Sequence, residues 1–318
     1  MNRRDFALSV LVASLAPAAL AQTGVVKLVL PNAAGSGVDA ITRALGPAVS
    51  KALNAPVVVE NQPGAGGIVG LQTLARAAPD GMTLSVVSNN VVILPSVMKS
   101  MPFDMPGDFT PIAVLGETPM VLVVNPQKMP VKDAKEFFAL LKSKPRGFNY
   151  ASGGNGTILH LAAELVLEAG SATATHVPYK GVGPMVTDLI GGQVDFGVAA
   201  LPSVQGHIKS GALRPIGMLT SARTPAAPDI ATLAEQGLND FSVQAWFALI
   251  GPKNLPPAQV QKAREAFVAG FQDPAVKESM AKQGNTINVS TPEQAQATFK
   301  RELTKYGALA KKVGLEPQ

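Results

Sequence analysis

Short runs of β-branched residues alternate along this chain with amphipathic segments of helical length, and glycine-rich turns stand where run passes into segment. Few folds accommodate that order. A parallel strand is reached only through a crossover, usually a helix, so the alternation predicts an α/β fold with largely parallel strands. Val25–Leu30, Val57–Val59 and Thr83–Val87 read as strands, with Val38–Leu53 and Ile68–Ala77 as helices between them. The first helix carries Ile41, Leu45, Ala48, Val49 and Leu53 on one face, the spacing of a buried stripe. Val91–Leu94 is either strand-sized or one helical turn. Two apolar runs, Ile112–Leu115 and Val121–Val124, then follow with no helix between them, as a chain does when it crosses to a second domain.

Beyond the crossing the alternation resumes. Asp133–Lys142, Gly156–Glu168 and Pro184–Ile190 read as helices, and Phe148–Ala151, Thr173–Val177, Val194–Ala199 and Leu213–Leu219 as strands. Gln244–Ile250 is a further strand, followed by helices over Pro257–Phe271, Ala275–Gln283 and Pro292–Val313. The expected organisation is two α/β lobes, each a mostly parallel sheet flanked by helices, with a ligand cleft where their strand ends face one another. Lobe 1 is assigned residues 22–120, lobe 2 residues 121–240, and residues 241–318 a strand returning to lobe 1 plus C-terminal helices.

Residues 1–21 read as an export leader. Arg3 and Arg4 precede an apolar run, Phe6 to Leu15, too short to span a bilayer, and Ala19-Leu20-Ala21 is a small-x-small cleavage site. Arg3-Arg4-Asp5-Phe6 also suits a twin-arginine signal, so Sec and Tat routes stay open. The expected mature start is Gln22, in the periplasm. The chain has no cysteine, which excludes disulfides, thiol nucleophiles, cysteine-bound zinc and a lipoprotein anchor. Stability then rests on packed cores. A net charge of +5 comes from scattered basic residues, and one Trp with three Tyr gives no stacking platform. Nucleic acid is therefore excluded as a partner, and attraction of small anions fits better.

The motifs that carry chemistry are turns. Ala34-Gly35-Ser36-Gly37 and Ser152-Gly153-Gly154-Asn155-Gly156-Thr157 each lead from a strand into a helix. A helix start offers unpaired N–H donors and the positive end of the dipole, and glycine lets a ligand approach the backbone. Asn61–Gly67 and the trio Ser88, Asn89 and Asn90 sit at further strand ends, as does Tyr179-Lys180-Gly181. Together they predict an anion site. Taken singly, each is an ordinary turn with a cap, and Lys180 an ordinary surface lysine.

Other readings of the same residues fare worse. Gly35-Ser36-Gly37-Val38-Asp39-Ala40 satisfies G-x-G-x-x-A, with Glu60 closing the next strand. Pro31 to Ala34, however, separate the strand from the first glycine, which the dinucleotide fingerprint needs in the tight turn itself. Ser96-Val97-Met98-Lys99, Ser88-Asn89-Asn90 and Lys209-Ser210-Gly211 recite the elements of a serine acyl-transferase out of order. His160, His176 and His207 lack zinc-binding spacing, and no G-x-S-x-G occurs. His160 reads as a packed, hydrogen-bonded histidine. No repeat or patch supports an adhesive role. Neither metal nor cofactor is expected.

Many segments, taken in order, resemble one family over essentially the whole length after the leader: "LVLPNAAGSGVDAITR", "VVVENQPGAGGIVG", "AAPDGMTLSV", "LVVNP", "NYASGGNGTILHLAAEL", "THVPYKG", "DLIGGQVDFG", "LPSVQGHIKSGALRPIGMLTSART" and "TPEQ". These are similar to the Bug-type, or TctC-like, periplasmic receptors of tripartite tricarboxylate transporters. The resemblance implies a two-lobed periplasmic binding protein fold and no enzymatic activity. It also implies a carboxylate ligand held by backbone amides, hydroxyls and bridging waters, and membrane transporter subunits as partners of a monomeric receptor. Carried onto this sequence, the site comprises Asn32, Gly35, Ser36, Gly37 and Asp39 of the first loop, then Gly64, Ala65, Gly66, Ser88, Asn89 and Asn90. Lobe 2 adds Ser152, Gly154, Asn155, Gly156, Thr157, Tyr179, Ala199 and Ala200. Two positions depart from the family's habit. Asn32 stands where a Phe is frequent, and Ala199-Ala200 where many members carry a polar pair such as Asp-Asn. With no acid there, an α-amino acid ligand loses its ammonium partner and an apolar wall remains.

Overall fold

Strand β1 (Val26–Leu30) runs into helix α1 (Gly37–Leu53) through the first glycine turn. The computed structural model describes residues 24–315 and 317, so the leader and its cleavage site lie outside the described residues. Ser36 caps α1 by accepting from Asp39 N at 3.2 Å, and Ile41, Leu45 and Val49 form its buried stripe. Asn54 ends it in the left-handed conformation, which asparagine tolerates. The lobe continues through β2 (Val57–Asn61), α2 (Ile68–Ala75), β3 (Thr83–Ser88), α3 (Asn90–Val97) and β4 (Phe109–Thr118).

Pro119 alone then carries the chain into lobe 2. There β5 (Met120–Val124), α4 (Ala134–Ser143), β6 (Asn149–Ser152), α5 (Ile158–Ala169), β7 (Thr175–Pro178), α6 (Val182–Ile190), β8 (Phe196–Ala200), α7 (Leu201–Lys209) and β9 (Arg214–Met218) follow. Residues 219–244 lead back to lobe 1, which is completed by β10 (Ala245–Pro252), α8 (Pro257–Gln272), α9 (Pro274–Gln283), β11 (Thr286–Ile287) and α10 (Pro292–Lys312). Thr291 and Gln294 close a capping box at the start of α10.

The lobe 1 sheet has the order β11-β4-β10-β3-β1-β2 and the lobe 2 sheet β7-β6-β8-β5-β9. Both are mixed, whereas the alternation of runs suggests mostly parallel sheets. Among the described strands, parallel pairing is confined to β1 with β2 and β3, and to β6 with β7 and β8. The strands next to the two crossings, β4, β5, β9 and β10, pair antiparallel. Reversal follows from the route: a chain that leaves a sheet at one end and re-enters it at that end must run back. All of β5 and β10 is buried, which is why both read as unbroken apolar runs.

Helix α7 is absent from the sequence reading, although Pro202 in its first turn marks a helix start. Val91–Leu94 belongs to α3, and Ala65–Gly67 form a short 3₁₀ turn. In lobe 1, Leu28, Ile41, Leu45, Leu249 and Phe267 pack between the sheet and helices α1 and α8. In lobe 2, Leu122, Phe137, Tyr150, Leu161 and Phe196 fill the equivalent space. Phe137 and Phe196 meet edge to face at 5.0 Å, a favoured geometry.

Candidate functional site

The C-terminal ends of β1, β2 and β3 face those of β6, β7 and β8 across a cavity of about 640 Å³. Six helices begin on its wall. They are α1 (Ser36, Gly37), α2 (Gly67), α3 (Asn90), α5 (Thr157, Ile158), α6 (Gly181, Val182) and α7 (Ala200). The first turn of a helix has no intrahelical acceptor for its N–H groups, and its dipole is positive there. Every helix start on the wall therefore favours negative charge.

Side chains reinforce that bias. Among the described residues lining the cavity there is no carboxylate, and the one charged side chain is Lys180. Tyr179 Oη donates to Asp188 Oδ2 at 2.8 Å. Loss of solvent and that carboxylate push its phenol up to about 12, so it stays protonated. Neutral polar side chains such as Ser88, Asn90 and Thr118 share the rest of the wall with an apolar set, Met98, Met120, Ile158, Leu159, Trp246 and Phe247. The cavity therefore suits an anion with a hydrocarbon body.

The lobes are closed on one another. Ile158 N donates to Asn90 Oδ1 at 2.8 Å, and Ser203 Oγ to Gly35 O at 3.3 Å, each bond crossing between lobes. A methyl group built on Gly37 would stand 3.2 Å from the Ala200 Cβ.

Of the residues singled out in the sequence, thirteen lie on the wall: Asn32, Ser36, Gly37, Gly64, Ala65, Gly66, Ser88, Asn90, Gly154, Asn155, Thr157, Tyr179 and Ala200. Six do not, each for a local reason. Asp39 turns its buried carboxylate inward, accepting from Gly35 N at 3.0 Å, Arg43 Nε at 2.9 Å and Asn61 Nδ2 at 3.0 Å. Gly35 is the other end of that bond, held at φ +78°, so both residues shape the first loop from behind. Asn89 is fully buried, its Nδ2 donating to Gln244 O and Tyr306 Oη. Ser152 is buried against His176, with Oγ 2.7 Å from Nε2. Gly156 faces Val97 instead of the cavity. Ala199 is fully buried because successive strand residues point to opposite faces, and Ala200 takes the cavity side.

Behind the lobe 2 loop lies an aromatic stack. His160 and His176 have ring centroids 3.8 Å apart, and Tyr150 stacks on His176 at 4.8 Å. Burial lowers His160 to about 3, helped by the neighbouring imidazole, and burial lowers His176 to about 4. Neutral His160 can then accept from Gly156 N at 3.2 Å through Nδ1, fixing the loop. Tyr150 Oη donates to Glu164. Burial raises the Glu164 carboxyl against that hydrogen bond, and burial with Glu164 raises the phenol.

Sequence reasoning missed Thr118, Trp246 and Phe247 on the wall. Phe247 pairs with Ser88, and Ala245 with Thr118. Antiparallel pairing thus brings the N-terminal end of β10 beside the C-terminal end of β3. The lone Trp at a strand start was the available signal.

The profile of the tripartite tricarboxylate transporter family receptors matches residues 41–315. Protein BugT of Bordetella pertussis is 33% identical over 291 residues, 91% of this chain and 89% of that protein. A UPF0065 protein of Agrobacterium vitis is 31% identical, covering 91% of this chain and 84% of its own. Among solved structures, the periplasmic binding protein BugD superposes with a TM-score of 0.87 at 32% identity, over 92% of this chain and 99% of that one. An R. palustris protein solved with adipate gives 0.89 at 26% identity over 93% and 99%. MatC from Rhodopseudomonas palustris with bound malate gives 0.81 at 29% over 90% and 98%.

Proposed function

Since the chain belongs to the receptor family of tripartite tricarboxylate transporters, whose members bind solutes and catalyse nothing, we propose that it captures a small organic carboxylate between its lobes. It then delivers that ligand, as a monomer, to the integral membrane subunits of such a transporter. The observation that carries this reading is the wall itself: six helix starts and one lysine, with no acid. A few charge-assisted hydrogen bonds at ~1.5–3 kcal/mol each reach the ~8 kcal/mol of a micromolar affinity. Adipate and malate in two related structures support the same ligand class.

A thermal-shift screen against mono- and dicarboxylates should raise the melting temperature with at least one of them, without turnover. No response to any carboxylate would overturn the reading. The wall also speaks against an α-amino acid. Asp39 is committed to the first loop and Asp195 accepts from Asn149 N at 2.7 Å, so neither serves an ammonium in the cavity. A buried ammonium without a partner is costly. Carboxylates lacking an amino group should therefore bind at least tenfold tighter than aspartate or glutamate, ~1.4 kcal/mol by calorimetry. Ala200→Asp, placing an acid on the wall, should narrow or reverse that order. An amino acid binding the wild type better than every simple carboxylate would refute it.

We further place the mature protein in the periplasm, exported by Sec or Tat and cleaved after Ala21. Mass spectrometry of the periplasmic fraction should read Gln22 as the first residue, and a retained leader would refute the cleavage.

A further inference from the structure

Helix α10 is rooted in lobe 1 and ends against lobe 2. Its roots lie behind the cavity wall, where Trp246 Nε1 donates to the buried Glu302 at 3.4 Å and Asn89 Nδ2 to Tyr306 Oη at 2.7 Å. At the far end Lys312 Nζ stands 3.0 Å from Glu168 Oε1, in the last turn of α5. Gly314 then turns the chain at φ +70°, and Leu315 N donates to Ala310 O at 2.9 Å, a bond that closes a helix end. Val313 and Leu315 are half-buried on an apolar cluster that runs from Val97 of α3 and Ala310 of α10 into Leu159 and Ala162 of α5. Gly314 and Leu315 also line a second cavity, of about 670 Å³, together with Asn155, Gly156 and His160. Asn155 belongs to the wall of the ligand cavity as well. The lobe 2 loop thus has the ligand cavity before it and the segment after α10 at its back.

We infer that residues 312–315 act as a clasp between the lobes, holding the closed state and slowing release of the ligand. Opening the lobes would carry α5 away from α10, which parts Lys312 from Glu168 and returns Leu315 to water. Re-exposing apolar surface opposes that movement. The ion pair, with both side chains largely exposed, contributes less and is screened by salt. Leu315 should therefore carry most of the effect. A contact made only in the closed state acts on affinity through the closed fraction. It shows mainly in the dissociation rate, because release waits for opening. A segment that merely supported the fold would change the melting temperature and leave the rates alone. None of this depends on the class of solute bound.

Stopped-flow fluorescence of Trp246, the chain's one Trp and part of the cavity wall, follows adipate and malate binding to the full chain, with calorimetry for affinity. In parallel, nitroxide labels on Lys51→Cys and Lys142→Cys, exposed positions in α1 and α4 of a chain without cysteine, report the interlobe distance without ligand. Leu315→Asp should speed dissociation about tenfold, keep association within about twofold, and shift the ligand-free distances toward an open form. Lys312→Glu and Glu168→Lys should each speed dissociation about threefold, and the two combined should return close to the wild-type rate. Dissociation within about twofold of the wild type in a folded Leu315→Asp overturns the clasp. So does a charge-swapped pair that recovers nothing, and that arm stands alone if Leu315→Asp misfolds. If neither probe binds, the distances decide: identical ligand-free distributions in wild type and variants overturn the inference, and a shift toward the open form upholds it while the carboxylate reading is judged separately.

Discussion

Gly37→Leu should lower ligand affinity at least a hundredfold, ~2.7 kcal/mol, while both lobes remain folded. Gly37 opens α1 on the cavity wall. Its Cβ would stand 3.2 Å from Ala200 Cβ and 3.8 Å from Thr118 Cγ2, before the three remaining carbons of leucine are placed. Those carbons occupy the space where the lobes meet, so the cost falls on closure and on the ligand. The local backbone does not object, since Gly37 lies outside the left-handed region. Leucine also favours helix over glycine by ~1 kcal/mol. Calorimetry, a melting curve and small-angle scattering together test this. A folded variant binding within tenfold of the wild type would show that the closed geometry is not the binding geometry. Gly181→Ala would be a poorer test. Its Cβ meets Ala33 Cβ at 2.5 Å, but at φ +113° lost closure would be mixed with backbone strain.

Stability should fall steeply as pH drops from 6.5 toward 4, and the buried imidazoles should account for much of the slope. His160 and His176 are lowered to about 3 and about 4 in the folded protein, from 6.5. Over the interval between, the unfolded chain binds protons that the native state refuses, so stability rises with pH and is lost on acidification. At pH 4 His160 alone contributes on the order of 3 kcal/mol of that loss. Glu164 acts in the opposite sense. Its carboxyl is raised above 4.5, so the folded state holds that proton more tightly just above 4.5. Urea unfolding of the wild type and of the double variant His160→Asn, His176→Asn at pH 7, 6 and 5 separates the effects, because Glu164 stays in both. The variant should start less stable at pH 7, by roughly 1–3 kcal/mol from lost packing, with a flatter slope. Parallel slopes would mean that other groups drive the acid transition.

What the sequence disclosed, and what it did not, divides by the range of the interaction. Strands β1, β2 and β3 and helix α1 follow from local patterns: β-branched runs and a stripe at Ile41, Leu45 and Val49. The glycine turns announce themselves because left-handed backbone favours glycine, as at Gly66 with φ 68°. Trp246 and Thr118 reach the wall only through pairing between strands far apart in the chain, which no local pattern carries. Ala199 and Ala200 were read together because both end one apolar run, yet strand alternation sends one to the core and the other to the cavity. Asp39 is the instructive case. An acid beside a glycine loop looks like a ligand contact from sequence, and its role in holding Gly35, Asn61 and Arg43 depends on a neighbour 22 residues away. Helix α7 was hidden by the apolar run that precedes it.

The topology also sets an order of completion as the chain emerges. Lobe 2 is one uninterrupted stretch, β5 to β9, inserted between two strands, β4 and β10, that pair with each other. All the partners its sheet needs are therefore present once Met218 has appeared. Lobe 1 must wait. Its middle strand is β10, between β3 and β4, and α10, which packs on α3 and β4, comes later still. Until then β3 and β4 present unpaired edges, a risk for sticking to other chains. A nascent or C-terminally truncated chain would thus carry a finished second lobe and a half-built first one, held open until the last quarter of the polypeptide arrives.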